Sequence, residues 1–145
     1  MEGRELYIRQ FEISDSEAVV SLWQSCKLVV PCNDPLKDIE RKMKVDPHLF
    51  LVGILDGKVI ASVMGGYEGH RGWINYLAVS LQHRRKGYAR QIMEAVEGKI
   101  RAMGCPKINL QIRMTNLEAI KFYESIGYKD DQVVSFGKRL VEDER

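Results

Sequence analysis

The sequence predicts a mixed α/β fold in one domain over residues 1–145: a mostly antiparallel central sheet of six to seven strands flanked by about four helices. Three observations carry that expectation. Runs with a two-residue apolar period alternate with runs at helical spacing. Asp56-Gly57 lies between two apolar runs and is a strong hairpin signal. A strand, basic turn, helix and strand unit around and after Val79 implies a right-handed crossover between parallel strands. The length suits one core, and 45% hydrophobic with 29% charged residues is ordinary for a globular chain.

Glu5 to Ile13 alternates in part, through Leu6, Ile8, Phe11 and Ile13, and reads as the first strand. Ser14-Asp-Ser-Glu17 has capping-box form and opens a helix whose Val19, Leu22, Trp23 and Cys26 share one face. Pro31 to Pro35 ends it, because proline removes a donor and restricts the residue before it. The next helix, from about Leu36 to Val45, has a thin apolar side of Leu36, Ile39 and Met43; it is either a surface cover or one wall of a substrate cleft. His48 to Leu55 and Lys58 to Tyr67 are hairpin partners, and Trp73 to Val79 completes a three-strand meander. A helix from Lys86 to Met103 places Ala89, Ile92, Met93, Val96 and Ile100 on one stripe, and Gly104 and Pro106 stop it. Lys107 to Met114 is a further strand, Asn116 to Ile126 a helix and Val133 to Leu140 a last strand.

Most of the chemistry gathers between Ile74 and Ala89. A strand ends at Val79, and a short turn carries Arg84, Arg85, Lys86 and Gly87 into the following helix. A helix start offers unpaired N–H groups and about half a positive charge, so added cations there suit a phosphate-bearing ligand. Gly87 removes the side chain where an anion must approach the backbone. The alternative is a solvated basic turn. The turn matches neither the P-loop nor the three-glycine dinucleotide fingerprint.

The net charge of +2 and the lack of aromatic interleaving argue against nucleic acid as partner. No apolar run reaches membrane-spanning length, and the first residues have no apolar signal core. Cys26, Cys32 and Cys105 lack metal spacing, as do the three histidines, so no metal and a reducing cytoplasmic setting are expected.

Two further features join the basic turn. Asn116 opens a helix directly after a strand, and Tyr123, seven residues on, lies on nearly the same face. Taken singly, these are an N-cap and a half-buried aromatic. Together with Arg84-Arg-Lys-Gly87-Tyr-Ala89, and with Ala119, Phe122-Tyr123-Glu124 and Gly127-Tyr128, the pattern resembles the GNAT superfamily of acetyl-CoA-dependent N-acetyltransferases. Asn33-Asp-Pro35, Asp38 to Met43 and Gly65 to Gly72 are further similar to its small bacterial YpeA-type members.

The resemblance implies a GNAT-like sheet and a role for each residue. Backbone groups of Leu77, Ala78 and Val79 pair with the pantetheine arm of acetyl-CoA. Amides from Arg85 through Tyr88 and Ala89 to Arg90, at the glycine start of Gly87, hold the pyrophosphate. Arg84, Arg85, Lys86 and Arg90 supply charge, and Asn116 bonds the pantetheine. Tyr123 protonates the leaving sulfur. The acceptor is an amine of a small molecule or of a protein or peptide, and a homodimer is compatible with the pattern. Relatives that acetylate ribosomal-protein N-termini carry a glutamate base where this chain has Gln111, which cannot take up a proton; Glu68 and His70 are the nearest alternatives by sequence. Leu81 and Arg85 stand where many relatives have Pro and Gly. A non-catalytic acyl-CoA-binding or regulatory module would keep the phosphate turn without needing an acid or base.

Overall fold

Alternating apolar runs joined by tight turns pair with their neighbours in sequence. In the computed structural model, which describes residues 5–143, five strands form one sheet in the order β1-β2-β3-β4-β5. β1 (Tyr7–Gln10), β2 (Phe50–Leu55), β3 (Lys58–Tyr67) and β4 (Gly72–Val79) are successive antiparallel neighbours. β5 (Ile108–Leu110) joins β4 in parallel. The β2–β3 turn has φ of 52° at Asp56 and 76° at Gly57, the paired positive values that an Asp-Gly hairpin favours.

Four α-helices cover the sheet: α1 (Ser16–Ser25), α2 (Pro35–Lys42), α3 (Tyr88–Ala102) and α4 (Leu117–Ser125). The α1 start differs from the Ser14–Glu17 pattern. A 3-10 turn, Ile13–Asp15, precedes the helix, and the Asp15 carboxylate accepts the Glu12 N–H at 2.8 Å and both ends of the Arg9 guanidinium. α2 begins one residue earlier than expected, with Pro35 in its first turn and the Asp34 carboxylate accepting the Leu36 and Lys37 N–H groups.

The core lies on both faces. On one, Ile92, Met93, Val96 and Ile100 of α3 meet Leu51, Val63 and Ile74. On the other, Val19, Leu22 and Trp23 of α1 meet Phe50, Val52, Met64 and Ala78. Each such side chain contributes about 2 kcal/mol of transfer free energy. A Cβ at Gly65 would stand 2.7 Å from Val96 Cγ2, so glycine is what lets α3 lie so close to β3.

The described residues hold five strands, not six to seven. β5 stops at Leu110 rather than reaching Met114, and Val133 to Leu140 joins no ladder. That segment has strand-like residues but no apolar surface to cover: Val133, Val134 and Phe136 are 77%, 81% and 89% exposed. It is tethered by side chains instead, Lys107 and Asn109 to Asp131 at 2.9 and 2.7 Å, and Gln111 to Ser135.

Candidate functional site

The two edges of β4 differ. It pairs with β3 from Gly72 to Val79 but with β5 only from Gly72 to Ile74. Ser62 faces Ala78 and Met64 faces Asn75, so Tyr76 and Leu77 together oppose Val63. This is a bulge of two residues against one, a device that bends a strand and breaks its pairing. Tyr76 sits at φ 52°, a costly state for an aromatic residue. Three contacts hold it there. The Trp23 ring stacks on it at 3.8 Å. The Ser62 hydroxyl donates to its carbonyl at 3.1 Å and accepts the Trp23 Nε1–H at 2.9 Å. The Tyr76 hydroxyl donates to Asp38 Oδ2 at 2.6 Å. Among the described residues, the edge of β4 toward β5 therefore has no ladder partner from Asn75 onward.

At the far end of that edge lies the basic turn. Arg85 and Gly87 adopt φ of 63° and 84°. Gly87 caps α3 with no side-chain bond, and the Gln91 N–H donates to the Gly87 carbonyl at 3.1 Å. The Tyr88, Ala89 and Arg90 N–H groups are those a helix start leaves over. A Cβ at Gly87 would meet no atom within 4 Å, so positive φ demands the glycine and the approach stays open. Arg85, Lys86 and Arg90 are exposed. Arg84 turns back on the protein: its Nε–H donates to the Val79 carbonyl at 3.2 Å, and its guanidinium lies 3.7 Å from Glu118. That carbonyl also accepts the Cys26 thiol, so Val79 offers less than Leu77 and Ala78 do.

α4 carries the remaining motif residues. Asn116 Oδ1 caps the Ala119 N–H at 3.1 Å, which leaves its amide hydrogens as donors. Tyr123 is half-buried, edge-on to Phe122 and Tyr128, and packs with Leu77 and Ala89 against one cluster. Burial pushes its pKa up to about 12. Its hydroxyl has no hydrogen-bond partner among the described residues. Burial also raises Tyr128, whose hydroxyl donates to Glu97 at 2.6 Å.

Glu68 is placed elsewhere. It lies on the β3–β4 loop, at the opposite end of β4 from Val79, where Oε1 accepts the His70 N–H and, at 2.7 Å, the Arg71 N–H. These amides hold its carboxyl below the ordinary range. The structure thus packs Leu77, Ala89 and Tyr123 against one core cluster, ties the basic turn to α4 through Arg84 and Glu118, and leaves Glu68 in a turn.

Sequence reasoning missed the support behind the slot. Ser62, a lone hydroxyl in an apolar run, was the available signal, because a buried polar group needs partners. It also missed the wall built by α2 and the last residues. Arg41 grips Asp143 with Nη2–Oδ1 at 2.7 Å and Nη1–Oδ2 at 3.2 Å, and stands 3.3 Å from Asp38. Arg139 Nη2 donates to Asn33 Oδ1 at 2.5 Å.

A mixed sheet whose β4–β5 ladder ends early beside a glycine-started helix places the chain among α/β proteins, and solved acetyltransferase structures share this fold. The chain superposes on Ard1 from Thermoplasma volcanium with a TM-score of 0.74 at 26% identity, covering 84% of this chain and 81% of that one. It superposes on AAC(6')-Iy, solved with a bisubstrate analog, with a TM-score of 0.78 at 19% identity, covering 95% and 100%. The profile of the Acetyltransferase (GNAT) family matches residues 6–128. An acetyltransferase of Sodalis glossinidius is 48% identical over 94% of this chain and 97% of its own. The chain belongs to the GNAT family of acetyltransferases. No described helix is long and apolar enough to cross a membrane, and no three described His, Cys, Asp or Glu are grouped to hold a metal.

Proposed function

We propose that this chain, as one domain over residues 1–145, moves the acetyl group of acetyl-CoA to a primary amine of a small molecule or polypeptide, by direct attack on the thioester. The observation that carries this reading is the end of the β4–β5 ladder at Ile74, which among the described residues leaves β4 beyond the Tyr76 bulge unladdered on that side as far as the glycine-started α3. The AAC(6')-Iy structure, similar in fold, was solved with a CoA-containing bisubstrate analog. Acetyl-CoA supplies an activated acetyl thioester; the rest is done by the chain.

Leu77 and Ala78 offer backbone groups for the pantetheine, and the Leu77 N–H is available to the thioester oxygen as charge gathers there. The Tyr88, Ala89 and Arg90 amides hold phosphate at the helix start, with Arg85, Lys86 and Arg90 adding charge. Arg84 positions the turn, since its guanidinium is engaged with Val79 and Glu118. Asn116 offers its amide hydrogens. Tyr123, with a pKa near 12, is a phenol that stays protonated and can donate to a departing thiolate at any physiological pH.

Glu68 is engaged by two amides, and Gln111 donates to Ser135 and cannot take a proton. The reading therefore favours acceptors that arrive neutral. An amine of pKa about 7.8 is neutral in about one molecule in seven at pH 7, against roughly one in a few thousand for one near 10.4. Three free cysteines agree with a reducing cytoplasm, and exposed Val133, Val134 and Phe136 offer a face for a homodimer.

Calorimetry with acetyl-CoA tests the coenzyme part. The parent binds, and Gly87→Glu, which adds a carboxylate and a Cβ at positive φ, weakens binding by about a hundredfold or more. No binding by the parent at millimolar ligand would sink the reading. Thiol release across an amine panel tests transfer; binding without release leaves an acyl-CoA-binding module.

A further inference from the structure

A groove of about 390 Å³ opens between α2 and the last residues, lined by Arg41, Lys138, Arg139, Leu140 and Val141. Three of its five side chains are cationic, and they are not alike. Arg41 is neutralised: Asp143, buried and held below the usual carboxylate range at about 2, takes both of its ends, and Asp38 takes a third contact. Arg139 is held only by neutral acceptors, Asn33 Oδ1, Cys32 Sγ and the Val141 carbonyl. Lys138 has no partner among the described residues. Two positive charges therefore face the groove without a counter-charge. A guanidinium has five donors, and these three contacts do not exhaust them. A fork held in place by neutral groups is preorganised to meet a carboxylate or phosphate in two-pronged fashion.

The groove also adjoins the slot. Arg41 contacts Asp38 at 3.3 Å, and Asp38 accepts the Tyr76 hydroxyl at 2.6 Å, at the bulge where the β4 edge opens. A ligand whose amine reaches the bulge thus extends toward Lys138 and Arg139. The volume fits a metabolite-sized molecule rather than a protein surface. Leu140 and Val141 give it an apolar side for a carbon skeleton.

We infer that the Arg41–Lys138–Arg139 groove is the anion subsite of the acceptor, and that the acceptor is a small amine carrying a phosphate or carboxylate away from the nitrogen. This deepens the proposed acetyl transfer and rests on it. Cationic acceptors such as diamines are repelled by the same two side chains.

The test compares glucosamine 6-phosphate with glucosamine, probes that share an amine and differ by one phosphate. Equilibrium binding is measured by calorimetry at low salt, with the parent and with the double variant Lys138→Gln, Arg139→Gln; both positions are exposed, and circular dichroism checks the fold. The phosphorylated sugar binds the parent at least about tenfold more tightly, and the difference falls to within twofold in the variant. Inorganic phosphate competes with the sugar phosphate in the parent and loses that effect in the variant. Equal binding of the two sugars by the parent overturns the proposal, as does a preference that survives in the variant. Acetyl-CoA is titrated separately on the same samples, so its failure to bind counts against acetyl transfer and leaves the sugar comparison standing.

Discussion

The basic turn from Arg84 to Arg90 is one unbroken run, and its shape follows from rules that act within a few residues: a glycine at positive φ, a helix start, a strand end. The wall across β4 from it is assembled from remote pieces. Arg41 meets Asp143 from 102 positions away, Arg139 meets Asn33 from 106, and Asp38 meets Tyr76 from 38. The proposed coenzyme side is thus carried by a motif, while the proposed acceptor side is carried by contacts that exist only once the chain has folded. On that reading, changes among α2 and the last residues alter what is acetylated while the strand edge and helix start stay as they are.

The largest expected effect lies between the two sides, at Tyr123. Tyr123→Phe keeps the ring packing against Phe122 and Tyr128 and removes only the hydroxyl. Turnover falls by about a hundred- to ten-thousand-fold, while acetyl-CoA affinity in calorimetry stays within about twofold. Unchanged turnover removes Tyr123 from the chemistry.

Ser62→Ala sharpens the comparison, because it strips support from the bulge that both sides share. The variant leaves the buried Trp23 Nε1–H without its acceptor and removes the hydroxyl that donates to the Tyr76 carbonyl. Thermal unfolding should show a loss of about 1–3 kcal/mol, with weaker acetyl-CoA binding. Full stability together with full affinity would show that the bulge holds without the serine.

The smallest effect is confined to the acceptor side. Arg41 holds the Asp143 carboxyl at about 2 in the folded chain, against an ordinary 3.8. A depressed carboxyl pKa stabilises above the unfolded value, and that contribution is lost as pH falls through the folded one. Attachment of the last residues should hold above about pH 4 and fail between there and pH 2. Carbon NMR of the Asp143 carboxyl and of the Leu140 and Val141 methyl groups reads this, with Asp143→Asn giving the acid-form methyl shifts at every pH. Neutral-form methyl shifts in that variant would mean that other contacts hold the segment.

What could be read in advance follows the same division. The Val19–Leu22–Trp23 face, the Asp56-Gly57 turn, the α3 stripe and the cap at Asn116 depend on spacing and backbone preference, and they stand in the structure where the pattern put them. Val133 to Leu140 has strand-forming residues, yet whether they enter a ladder depends on a distant surface being there to cover, and none was. The resemblance asks for β4 to open near Leu77 through a bulge, but its seat at Tyr76 is not legible locally, because the contacts that hold it come from a tryptophan and a serine, 53 and 14 residues away in the chain, that no local window joins. Glu68 was selected for its chemistry and position in sequence; its two neighbouring amides, contributed by the turn itself, decide its role.

The last residues reach α2 and the turn before it through their side chains, Arg139 to Asn33 and Asp143 to Arg41 and the Asp34 N–H. A stretch fastened that way can be grafted from one relative to another without re-registering a single strand. On the proposed acceptor reading, residues 129–143 are therefore a natural splice point for retargeting the enzyme, with the donor machinery inherited intact.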